Sequence, residues 1–132
     1  MTKPLKNIKE YNSMSFENII KKIKSHPDFS KAGMVLYHNG VVRQTTREGI
    51  EVTGLSVKVD HDKLNEIIAE QKAKQGIVEV LVEIYENRRL SVGDDVMYIA
   101  VAGDIRENVI STLTETLNRV KSEATSKEQF MK

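Results

Sequence analysis

No cysteine occurs in the chain, which excludes disulfides, thiolate metal sites and a cysteine nucleophile. That absence fits a reducing compartment, and the cytoplasm is the expected location. Tryptophan is missing too, and aromatic residues amount to only 5%, so platforms for stacking the bases of a single strand are scarce. Neither sign of charge dominates. The net charge is +1 at pH 7, which gives nucleic-acid binding no global electrostatic support. No apolar run approaches the ~18 residues that a membrane span requires, so no membrane association is expected. The opening residues MTKPLKNIKEYNS lack the apolar stretch of a secretory signal. A glycine-rich phosphate loop, a GxSxG elbow and an HExxH zinc motif are all absent. The three histidines, His26, His38 and His61, fall in different elements without metal-ligand spacing, so no metal is expected. Each reads as a surface or core histidine, and His38 stands apart only through its neighbours Gly40 and Arg43. Asp94 and Asp95 read as solvated acids in a turn.

What is present describes one α+β domain. The 132 residues are 39% hydrophobic and 30% charged, enough for a single core. Residues 1–14 are polar and basic and read as a flexible arm ahead of a domain over 15–132. Ser15 is placed to cap a helix over about 16–25, with Phe16, Ile19, Ile20 and Ile23 on one face and Pro27 as its stop. Met34 to Arg43 reads as one strand with Gly40 at a bulge or a close approach to ligand; the competing reading is a hairpin at Asn39-Gly40. Gln44–Gly49 is the better turn. Ile50 to Val59 is a strand whose apolar phase slips near Gly54–Leu55, as a bulge would produce. Asp60 or Asp62 caps a helix of about 63–75, and Gly76 ends it. In the next strand Val78, Val80, Val82 and Ile84 face inward, while Glu79 and Glu83 face outward.

The rest of the chain is organised around Val96–Lys127. Val96–Ala102 is apolar on both faces and belongs at the centre of the domain or of an interface. Asp104 and Glu107 then have capping-box spacing, and Val109, Leu113, Leu117 and Val120 form the apolar stripe of a long helix. A basic tail containing serine and threonine follows. The element order α-β-β-α-β-β-α implies helices packed on a largely antiparallel sheet.

Four basic residues mark a candidate anion site. Arg43 closes an apolar strand beside a glycine. Arg106 sits in the first turn of a helix, where free N–H groups and the positive dipole attract anions. Lys121 and Lys127 follow the last turn, where lysines also serve simply to complement the dipole. Arg106 and Lys121 are fifteen positions apart on one helix, or roughly 22 Å at 1.5 Å per residue. If they serve one small ligand they come from different protomers, and the chain is a homodimer.

These residues resemble a known family. AGMVLYHNGVVR is similar to the GAxVxFxGxVR signature of the large, catalytic subunit of molybdopterin synthase (MoaE). Leu90-Ser91-Val92-Gly93-Asp94 resembles its LxVGE turn. The Arg106–Lys121 spacing and Ala124-Thr125-Ser126-Lys127-Glu128 resemble its HR…K and PIWKKE elements, and the match is collinear over about 27–129. The resemblance implies an α/β hammerhead fold, a homodimer, and a ubiquitin-like sulfur carrier whose thiocarboxylate tail enters the large subunit. It implies sulfur transfer to cyclic pyranopterin monophosphate, forming the molybdopterin dithiolene without a metal or organic cofactor. Lys121 and Lys127 would be catalytic, attacking the thiocarboxylate, activating the substrate or stabilising oxyanions. Arg43 and Arg106, with the adjoining Val42 and Ile105 and the two lysines, would bind substrate. Ile105 stands in place of the family's histidine, Tyr85-Glu86 in place of its first HR pair, Val57-Lys58 in place of a Tyr-Glu, and Ser126 in place of its Trp. A non-catalytic paralogue that binds a phosphorylated ligand or a protein partner is the alternative; a small regulatory α+β domain is a third reading.

Overall fold

A computed structural model describes residues 15–132; the expected arm over 1–14 lies outside the described residues. The architecture is built on β5 (Asp95–Gly103), which runs between β1 (Met34–Val41) and β3 (Ile77–Ile84) in an antiparallel sheet of order β1-β5-β3. From Met97 to Ala102 no residue is more than 4% exposed. This is the expected consequence of an apolar run with no polar face to give to water.

Helices cover both faces of this sheet. On the face carrying Tyr98, Ala100 and Ala102 lies α1 (Phe16–Lys24). Ser15 caps it by accepting a hydrogen bond from the Asn18 amide. Ile19 and Ile23 of α1 are fully buried, each worth about 1.5–3 kcal/mol of apolar burial. Phe16 packs edge-on against Tyr37 and beside Tyr98. Glu79 and Glu83 point to this same face, because they pair in register with Ala102 and Tyr98. They were expected to be solvated, but α1 covers them. Glu83 accepts from Lys22, and Glu79 meets His26 of the α1 exit and Lys72 of α2 (His61–Lys72). Alternation identified the face correctly, but it could not show that a helix lies over it. Asp60 caps α2 through the Lys63 amide.

The opposite face carries Ile99, Val101 and Gly103. Here α3 (Arg106–Arg119) packs so closely that a Cβ on Gly103 would meet Val109. The buried side chains of α3 are Val109, Thr112 and Thr116. Leu113 and Leu117, expected in the stripe, are only partly buried against the core. The expected capping box does not form. Asp104 instead accepts from the Ile105 amide and from Asn108, while Glu107 pairs with Arg106. These bonds hold the Asp104 carboxyl below its ordinary pKa, the Asn108 contact first.

The remaining strands form a second antiparallel sheet, order β4-β2-β6, rather than extending the first: β4 (Leu90–Ser91), β2 (Val52–Val59) and β6 (Thr125–Met131). The segment expected as a basic tail is therefore β6, a full strand paired with β2 from Thr125–Val59 to Met131–Val52. The phase slip in β2 is real, with the register shifting between Val52 and Gly54. Ile50, the first apolar residue of the segment read as this strand, lies before β2 and is 52% exposed. β1 is one uninterrupted strand, and its register shifts at Gly40/Val41.

Candidate functional site

A cavity of about 300 Å³ opens between the two sheets at the end of β1. Its first wall is the β1–β5 face bearing His38, Gly40 and Met97; its second is β2 through Leu55 and Val57. Gly40 lies two positions from His38 on the same side of the strand. A Cβ there would stand 3.4 Å from both His38 Nε2 and Met97, so the missing side chain keeps this wall open. Arg47, Lys121 and Lys127 are the cavity's charged lining.

Lys121 is held by an unusual local structure. After Arg119 the helix widens into a π-helical turn, Val120–Ala124. Such insertions often mark functional positions. Arg119 donates to Glu123 within this turn and to Glu70 on α2, and Lys63 adds a second cation to Glu123. This network keeps the Arg119 guanidinium charged and the Glu123 carboxyl below its usual range. Thr125 Oγ1 donates to the Val120 carbonyl, and the Asp60 amide donates to that of Ala124. The backbone of the turn is thus pinned from three sides while Lys121 itself makes no ion pair among the described residues. From Thr125 the chain becomes β6 and carries Lys127 into the same cavity.

His38 is the half-buried imidazole of the wall. Its Nε2 is buried and has no hydrogen-bond partner among the described residues. Burial, and then the positive charge of Lys121, lower its pKa from the ordinary 6.5. A neutral imidazole therefore faces a cationic rim. Because the unfolded chain takes up this proton more readily than the folded one, the His38 contribution is complete above pH 6.5 and is lost as pH falls below it. Thermal unfolding should therefore show His38→Phe losing less stability than the parent between pH 7 and pH 5.5. Equal losses would mean that His38 titrates normally.

Of the sequence-derived site residues, Lys121 and Lys127 meet in this cavity and the others do not. Val42 is 2% exposed, its backbone tied to Gly93 and Asp94. Arg43 Nε donates to the Thr45 carbonyl, 2.9 Å away. Ile105 is 52% exposed at the start of α3, and the neighbouring Arg106 is exposed and paired with Glu107. Within one chain Arg106 lies a whole helix away from Lys121. Arg47 carries no local signal that would single it out, since turn arginines are ordinarily solvated. Among the described residues no cluster of three or more metal-ligating side chains occurs, and no helix is long and apolar enough to cross a membrane.

Residues 10–123 match the family model described as MoaE protein. The fold is similar to molybdopterin synthase from Staphylococcus aureus, with 21% identity, 77% of each chain covered and a TM-score of 0.66. Molybdopterin cofactor biosynthesis protein E from Burkholderia multivorans shares 19% identity, covering 89% of this chain and 82% of that one with a TM-score of 0.70. A complex of subunits 1 and 2 of molybdopterin-converting factor from Helicobacter pylori contains a chain 16% identical, covering 87% and 77% with a TM-score of 0.67. At these identities the likeness establishes the fold. No curated protein matches the chain.

Proposed function

Because the chain belongs to the MoaE family, we propose that it is the large subunit of a molybdopterin synthase. It takes sulfur from a thiocarboxylated, ubiquitin-like small subunit and delivers it to cyclic pyranopterin monophosphate to build the molybdopterin dithiolene. The observation that carries this reading is the convergence of Lys121 and Lys127, neither ion-paired among the described residues, on one inter-sheet cavity. The complex of two converting-factor subunits from Helicobacter pylori supports a small-subunit partner.

The chemistry follows from charge. A thiocarboxylate arrives as an anion; once its sulfur has bonded to the precursor, water attacks the acyl carbon through an oxyanion, the C–S bond breaks, and the carrier leaves as a carboxylate. Two ammonium groups carried into a partly apolar cavity by a hydrogen-bonded turn and a paired strand stabilise both. The neutral His38 imidazole adds no further repulsion to the rim. Leu55 and Val57 exclude water from the inner wall, which strengthens each of these interactions. A homodimer would bring Arg106 of one copy to the cavity of the other, since one straight helix cannot present both ends to a small ligand.

The test is a single-turnover reaction of the purified chain with thiocarboxylated carrier and cyclic pyranopterin monophosphate, with dithiolene detected after oxidation. Product is expected; absence of product with an active carrier overturns the reading. Arg106→Ala should weaken precursor binding roughly tenfold, the scale of one charge-assisted hydrogen bond. The difference should shrink at high salt because screening already weakens that contact. An unchanged dissociation constant would make Arg106 a helix-terminus charge only.

A further inference from the structure

We propose that Arg47 grips the phosphate of the bound precursor, an assignment that rests on the synthase reading above. Arg47 stands at the tip of the turn between β1 and β2. That turn is built rather than loose: the Thr46 amide donates to the Ile50 carbonyl, the Ile50 amide to Thr46 Oγ1, and the Gly49 amide to the Thr46 carbonyl. Thr46 itself is buried, and Gly49 takes the positive φ of +85° that closes the turn. Arg43, at the base, ties its Nε to the Thr45 carbonyl. Arg43 therefore positions the turn, and Arg47 is the arginine that reaches the cavity.

Charge then specifies the ligand. Arg47, Lys121 and Lys127 enter from three separate elements, and among the described residues no carboxylate lines the cavity and none of the three is ion-paired. Several cations elsewhere are neutralised, Lys22 by Glu83, Lys72 by Glu79 and Arg119 by Glu70 and Glu123; what sets these three apart is that they share one cavity. A carrier thiocarboxylate brings one negative charge to three positive ones, and the cyclic phosphate diester of the precursor, a monoanion, brings a second. The planar guanidinium fork matches two phosphate oxygens at once, which a lysine cannot do. The division of labour is thus lysines toward the sulfur and Arg47 toward the phosphate.

The experiment measures steady-state synthesis with the full chain and the carrier, and titrates each with cyclic pyranopterin monophosphate. Arg47→Ala should raise KM for the precursor ten- to a hundredfold with kcat within about threefold, the pattern of lost binding that is equal in ground and transition states. Arg47→Lys should recover part of that loss, and carrier affinity should stay unchanged in both variants. Unchanged KM, or a loss confined to carrier affinity, overturns the assignment. If the parent binds the precursor through Arg47 but makes no dithiolene, the synthase reading fails and the phosphate contact stands. If the parent binds no precursor, both fall.

Discussion

Lys121→Ala should abolish dithiolene formation and leave the chain folded. The two halves of this result have separate causes. Lys121 is exposed and makes no ion pair among the described residues, so its removal should change stability by no more than about 0.5 kcal/mol. Its ammonium nonetheless enters the cavity from a turn pinned by Arg119, Thr125 and Asp60. Removing one preorganised charge at a developing oxyanion typically costs about 10²–10³ in rate, and losing a nucleophilic amine would cost more. Single-turnover product formation, read beside the thermal midpoint, gives both numbers. A folded variant with parental turnover would remove Lys121 from the mechanism. Lys121→Arg separates the roles further, since it keeps the charge and loses the amine.

Ile99→Ala should be the most damaging single truncation for the fold, costing about 3–4 kcal/mol. Ile99 is fully buried at the middle of β5, opposite His38 on β1 and Val82 on β3. Both neighbouring strands are paired to β5 itself along their length and α3 packs on this face of the sheet, so the space left behind is held open. For a chain of this size the midpoint should drop by roughly 10–15 °C. Ile110→Ala supplies the control, because Ile110 is 48% exposed on α3 and should lose well under 1 kcal/mol. Equal effects from the two would mean that β5 does not hold the core together.

The difference between these positions was legible in the sequence. Val96–Ala102 has no polar alternation, and the structure places it centrally. Ser15, Asp60 and Gly40 also announced their roles through side-chain chemistry or the lack of a side chain. Three features could not be read, for different reasons. β6 has few apolar residues, and TSKEQFM becomes a strand only because β2 offers it a ladder. The Asp104 carboxylate had a nearer amide and Asn108 to satisfy, so correct capping-box spacing gave no capping box. Arg47 belongs to the cavity through the geometry of the Thr46–Ile50 turn, which periodicity does not encode. Lys121 and Lys127 were singled out by resemblance and by their place beyond a helix. Their shared cavity required the π-helical turn and β6 together.

The pairing of distant strands also bears on how the molecule is made. Met34 lies opposite Gly103 and Val52 opposite Met131, so each sheet closes a loop of roughly seventy residues or more, at a cost in entropy that precedes any reward from packing. Such a topology folds slowly compared with a helical bundle of equal length. His38, Arg47, Lys121 and Lys127 converge only after both loops close, so a partly folded chain has no anion site. On the proposed reading, a phosphate-bearing ligand recognises only completed molecules and draws the folding equilibrium toward them by mass action.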